Sequence, residues 1–264
     1  MNRKRKSPWA PLYLTLVLIL LYLPIVVVVL YSFNANASRY PNEFTGFSLQ
    51  YYKALFRDTK GLLRALKTSL ILAACSCGAS MVIGTLGAVG MARRKFRGQG
   101  ALETLAILPI MVPEIILGMA FLAVFTAVGL KFGMLTLTLA HVTFCTPYIF
   151  IIVKGRLAGM DPSLAEASRD LGATPVRTFF EITLPLILPG VLSGVMLAFA
   201  MSLDDFVICF FVTGATTTTL PLKIYSSVKT GVSLQVNALC TLMLVFVAVV
   251  MAVKTLVVDR RKNQ

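Results

Sequence analysis

Three of the eleven acidic residues, Glu114, Asp204 and Asp205, stand well inside long apolar runs. Glu114 lies in LPIMVPEIILG and the aspartates in AMSLDDFVICFFV. A carboxylate at the centre of a membrane helix costs about 2.5–3.5 kcal/mol, so three left unpaired in lipid would cost roughly 7–10 kcal/mol. No lysine or arginine within those runs offsets them. The acids must therefore face a watery cavity, carry protons, or meet a cation that comes from outside. Two anionic levels along one route would suit an elongated polycation, whose protonated amines could engage them in turn. The faces of Phe206 or Tyr225 could add cation–π contacts. A plainer reading is structural: a buried acid can hydrogen-bond Ser202, His141 or neighbouring backbone. His141, the single histidine, is expected to make a helix–helix hydrogen bond rather than to relay protons.

Other chemistries find little support. There is no HExxH and no CxxC, and Cys75, Cys77, Cys145, Cys209 and Cys240 all lie in apolar runs. Neither a disulfide framework nor a metal centre is expected. An intramembrane aspartyl protease needs two aspartates that face each other from separate helices. Here they are sequence neighbours and no GxGD segment occurs, so no catalytic residue is expected and the chain does not read as an enzyme. There is no GxxxxGK[ST] either, so the chain cannot cradle nucleotide phosphates as a P-loop does.

The elements that must position these acids are membrane helices. The chain of 264 residues is 57% hydrophobic, only 14% charged, and has a mean hydropathy of +0.83; a soluble domain averages about 45–50% apolar and about 25% charged. Six windows are long enough to cross a bilayer, at approximately 11–31, 68–92, 104–128, 134–153, 186–212 and 236–258. The expected fold is all-α and integral to the membrane, one transmembrane domain over residues 1–264. Sixteen basic residues fall on one side, among them Arg3, Lys4, Arg5, Lys6, Arg93, Arg94, Lys95, Lys154, Arg156 and Arg260, against nine on the other. Both termini are thus expected in the cytoplasm, and the formal charge of +14 reflects basic cytoplasmic loops rather than a nucleic-acid surface. The first window has a basic head and Ala35-Asn36-Ala37 mimics a cleavage site, but its apolar run is too long for a signal peptide, so it is expected to stay as an uncleaved helix. Small residues, including Gly78, Gly84, Gly87 and Gly90, mark the second window for close helix packing.

On continuous helices, Glu114 would sit about 15 Å into the third span, beside a kink at Pro113. Asp204 and Asp205 would lie about 100° apart on one helix, in the outer half of the fifth span.

The longest cytoplasmic loop, residues 155–185, reads as a helix–turn–helix. Asp161 or Ser163 can cap a helix with Pro162 in its first turn, and Ser163 and Glu166 have capping-box spacing. Leu164, Ala167, Ser168 and Leu171 form a stripe at i, i+3, i+4 and i+7, Gly172 stops the helix, and Thr174-Pro175 starts another.

From Glu166 to Pro185 the loop carries EAS, a glycine four positions after the serine, and I-x-LP. This closely resembles the EAA loop of the MetI-like type I ABC importer permeases, with Ser168 in place of the last alanine. LYLPIVVVVLYSFN, FRG, AHVTFC, MSLDD and LPLKIYSSVKTGVSLQVNAL extend the likeness over essentially the whole chain, toward the second permease of the spermidine/putrescine subgroup. The resemblance implies a six-helix permease subunit in the bacterial inner membrane. It would form half of the translocation path for a polyamine. The resemblance further implies a homologous permease as partner, two copies of a cytoplasmic ATPase that bind ATP and Mg, and an extracytoplasmic polyamine-binding protein. The chain itself would bind no cofactor. The helix stripe would dock on the ATPase, with Glu166 and Gly172 as its key positions. A permease for another small cationic or polar solute is the alternative. So is a proton-coupled secondary transporter with the acids as relay, although such a transporter needs no ATPase dock.

Overall fold

The computed structural model describes residues 9–36, 43–57, 61–93, 96–229, 231 and 233–262. Ala37 and, among the basic residues counted above, Arg3, Lys4, Arg5, Lys6, Arg39, Lys60, Arg94 and Lys95 lie outside these, as do the side chains of Arg93, Lys254, Arg260, Arg261 and Lys262. Among the described residues there is no strand, only a single bridge between Asn34 and Phe47. The helices run α1 (Trp9–Ser32), α2 (Gln50–Phe56), α3 (Leu62–Arg93), α4 (Gln99–Met111), α5 (Glu114–Ala127) and α6 (Met134–Ala158). They continue as α7 (Ser163–Asp170), α8 (Pro175–Thr178), α9 (Leu184–Asp204), α10 (Val207–Val212), α11 (Leu220–Lys229) and α12 (Leu234–Lys262). A π-helical turn, Phe179–Thr183, joins α8 to α9.

The chain divides into two compact units, Met1–Arg64 with Ile224–Gln264, and Ala65–Lys223. In the first, α12 packs against α1 and α2. The segment after α1 is tied by Asn34, fully buried, whose amide donates to Glu43 O at 2.8 Å and whose carbonyl accepts from Thr45 N at 3.0 Å.

The second unit is built around α6. Its buried positions include Leu137, Ala140, His141, Phe144, Cys145, Ile149 and Val153, one face of a 3.6-residue helix. Helix α9 packs closely along it: a Cβ on Gly194 would lie 3.1 Å from Ile149 Cα. In a membrane, dispersion and close backbone approach hold helices together, which is why glycine stands here. At one end of α6, Lys154 Nζ pairs with Glu103 of α4 at 2.6 Å.

Two of the six windows are not single helices. The third is α4 and α5, bent by 107° at Val112-Pro113. Proline cannot donate a backbone hydrogen bond, and Val112 before it is extended (φ −82°, ψ 132°), as a residue preceding proline prefers. The kink expected at Pro113 is thus a full break, and depth cannot be counted along one axis. The fifth window, 186–212, is also two helices. Helix α9 ends at Asp204, Asp205 is extended (φ −64°, ψ 117°), and α10 begins at Val207. Asp204 and Asp205 therefore do not share one helix. Other ends differ too: α6 runs on to Ala158, and the helical stretch leading into α9 begins at Pro175, about three turns ahead of the expected window.

Candidate functional site

Each broken window carries an acid at its break. Glu114 opens the first turn of α5, where the free N–H groups and the helix dipole favour a carboxylate. It is exposed on the isolated chain. At the other break the neighbouring aspartates part company. Asp204 is exposed at the last position of α9, whereas Asp205 is 5% exposed. The Asp205 carboxylate caps α10: Oδ1 accepts from Ile208 N at 3.1 Å and Oδ2 from Cys209 N at 2.9 Å. Its Oδ2 also lies 3.3 Å from His141 Nε2. The other ring nitrogen of His141 is 2.8 Å from Ser202 Oγ, and Cys209 Sγ is 3.3 Å from Nε2. So a cluster from α6, α9 and α10 fixes the break.

The two breaks come together because the half-helices that follow them pack on each other. A Cβ on Gly118 of α5 would lie 2.6 Å from Phe211 Cδ2 of α10, so only glycine admits this contact. The far end of α10 is pinned too, by Thr136 Oγ1 donating to Val212 O at 2.9 Å. Glu114 is consequently within electrostatic range of both Asp204 and Asp205, and Tyr148 of α6, half-buried, is within range of Glu114. Tyr148 was missed in the sequence; it sits in an apolar run with no local signal.

The two aromatic candidates fare differently. Phe206, half-buried between α9 and α10, has its ring centroid 5.8 Å from that of Phe210. Tyr225 belongs to α11, and its ring face already carries Lys229 Nζ at 4.8 Å from the centroid. A cationic solute would have to displace that ammonium.

The hairpin is built from caps. Asp161 Oδ1 accepts from Ser163 N at 2.9 Å, which holds its carboxyl below the usual range. The capping box expected between Ser163 and Glu166 does not form, because Pro162 O takes the N–H groups of Ala165 and Glu166 at 3.1 and 3.3 Å. The Glu166 side chain stays exposed. Helix α7 ends at Gly172 (φ +87°), with Ala173 N donating to Ser168 O at 3.1 Å. Thr174 caps α8 by accepting from Arg177 N at 3.3 Å, and Ser168 Oγ meets Thr178 Oγ1 at 3.2 Å. Leu164 and Leu171 point outward, Leu171 at 90% exposure, and Ala167 is exposed between them.

Residues 80–263 match the family model of the binding-protein-dependent transport system inner membrane component. The chain belongs to that family. As an inner-membrane permease of this kind it is 41% identical over 266 residues, 98% of this chain and 94% of the relative, to the putrescine transport system permease protein PotI of Escherichia coli K12. It is 40% identical, over 86% of this chain and 88% of the relative, to the spermidine/putrescine transport system permease protein PotC of Haemophilus influenzae. Among solved structures, a bacterial ABC transporter that imports alginate superposes with a TM-score of 0.72 at 14% identity, covering 97% of this chain and 99% of that one. The MetNI methionine transporter gives 0.61 at 20%, covering 75% and 94%. These two establish the type I importer fold.

Proposed function

We propose that this permease is one of two membrane subunits of an ATP-driven importer for polyamines, spermidine or putrescine, and that it contributes half of the path. The observation that carries the reading is the pair of exposed acids, Glu114 and Asp204, on two breaks that pack against each other in a chain 41% identical to a putrescine permease. A flexible chain with an ammonium at each end can exchange its water for two spaced carboxylates, one at a time. Such a site resists uncharged and anionic solutes. Phe206, two residues after Asp204 in the chain, supplies an apolar surface for the methylene stem.

Both termini face the cytoplasm in this reading, because that orientation puts sixteen of the basic residues inside. The hairpin α7–α8 then faces the cytoplasm and docks on the ATPase through Leu164, Ala167, Ser168 and Leu171, with Glu166 free to pair and Gly172 setting the turn. ATP and Mg are bound by two copies of that ATPase, and a binding protein delivers solute from outside. The permease performs no catalysis.

The test is uptake of radiolabelled spermidine and putrescine by cells whose own polyamine importers are deleted, normalised to assembled complex. Glu114→Gln and Asp204→Asn should each lower uptake with assembly unchanged. Wild-type uptake per complex in both variants would remove these acids from the path. Uptake of neither polyamine by the wild-type complex, with another cationic solute transported instead, would overturn the substrate assignment.

A further inference from the structure

The cluster that holds the α9–α10 break brings a nitrogen, an oxygen and a sulfur atom close together. His141 Nε2, Asp205 Oδ2 and Cys209 Sγ all lie within 4.8 Å of one another, and all three residues are buried. The two distances from Nε2, to Oδ2 and to Sγ, are both 3.3 Å. A tetrahedral ion with bonds of about 2.0 Å to nitrogen and oxygen and about 2.3 Å to sulfur requires its ligands about 3.3–3.5 Å apart. We propose that His141, Asp205 and Cys209 form a binding site for a divalent transition-metal ion of the zinc class, which staples α10 to α6 across the break.

The surroundings fit such an ion on three counts. Ser202 Oγ lies 2.8 Å from His141 Nδ1 and can accept its N–H, the outer contact that would fix the tautomer of a ligating histidine and leave Nε2 unprotonated toward the ion. Thr219 Oγ1 is buried without a well-formed hydrogen bond and stands against the Cys209 sulfur. A neutral thiol is a poor acceptor for that hydroxyl, whereas a metal-bound thiolate is a good one. Finally, charge balances: a dication with one thiolate, one carboxylate and a neutral imidazole sums to zero, and a neutral cluster is what a protein core within a membrane can hold. Ion binding releases the thiol proton and any proton on the carboxylate. Nothing is oxidised or reduced.

No ligand-spacing motif announces this site, and no metal centre is expected from the sequence alone. Asp205 and Cys209 are four apart, but His141 comes from a different helix and no ligand-spacing motif links it to them. The alternative is a plain hydrogen-bond network, in which Nε2–H donates to Asp205 and Nδ1 accepts from Ser202. The two differ in metal content, and the site stands whatever the solute is.

The complete importer, purified with this chain in it, is treated with chelator and titrated with zinc and then cobalt. Bound metal is read by elemental analysis, and cobalt by its thiolate charge-transfer absorption. The wild type should take about one ion per copy of this chain, with the thiolate band and a higher melting temperature. Cys209→Ala should lose the band and the metal-dependent rise in melting. A chain in which Cys75, Cys77, Cys145 and Cys240 are replaced by Ala should keep both, which tests the site even if Cys209→Ala fails to assemble. A wild-type complex that shows no thiolate band at saturating cobalt overturns the proposal. So does a band that vanishes when the other four cysteines are replaced.

Discussion

Adjacent aspartates of the same type meet opposite environments. Asp204 is exposed at the end of α9, and Asp205 is buried with two backbone N–H donors. Their substitutions should differ in kind. If Asp204 pairs with cargo as proposed, Asp204→Asn should cost about 1.5–3 kcal/mol, or roughly ten- to hundredfold in uptake, with assembly intact. Asp205→Asn presents an amide N–H₂ where a backbone N–H needs an acceptor. It should cost about 1–3 kcal/mol of stability and reduce the amount of assembled complex. Quantifying complex by immunoblot beside uptake separates the two, and equal behaviour of both variants would show that burial does not set their roles. The acids themselves were legible in the sequence as costly groups in apolar runs. Which one faces water was not, because the residues flanking MSLDDF are apolar on every face.

At the scale of elements, the hairpin was legible and the breaks only partly so. Water-facing helices such as α7 need capping residues, and Asp161, Gly172 and Thr174 announce them. Pro113 announced a bend but not its 107°. The α9–α10 break has no proline or glycine; its only signal is an aspartate ahead of a helical run, which an N-cap reading of Asp205 would have found. The buried face of α6 was invisible because lipid-facing positions are as apolar as buried ones. Two predictions belong here. Gly172 has φ +87° and open space around it, so Gly172→Val strains the backbone alone, by about 1–2 kcal/mol. It should leave the spans inserted while weakening ATPase association, measured by co-purification and by transport-coupled ATP hydrolysis; normal coupling would refute the docking role. Gly118→Leu should force α5 off Phe211 at about 1–3 kcal/mol and separate Glu114 from the aspartates. Uptake should then fall while ATP hydrolysis by the complex persists.

At the scale of the whole molecule, the acids need a cover that this chain does not supply alone. Glu114 and Asp204 are exposed on the isolated chain, and against lipid each would cost about 2.5–3.5 kcal/mol. A second permease that presents a polar face to them converts that cost into a solvated path. A second copy of this chain would bring like acids to the same axis and repel. The assembly should therefore be a heterodimer with a homologous permease. Co-expression of two differently tagged copies of this chain, with and without a homologous permease, checks it. The two tags should not co-purify, and uptake should require the second permease. Uptake by a complex in which both tags are present and no other permease is found would refute the heterodimer, and with it the assignment of half a path to each subunit.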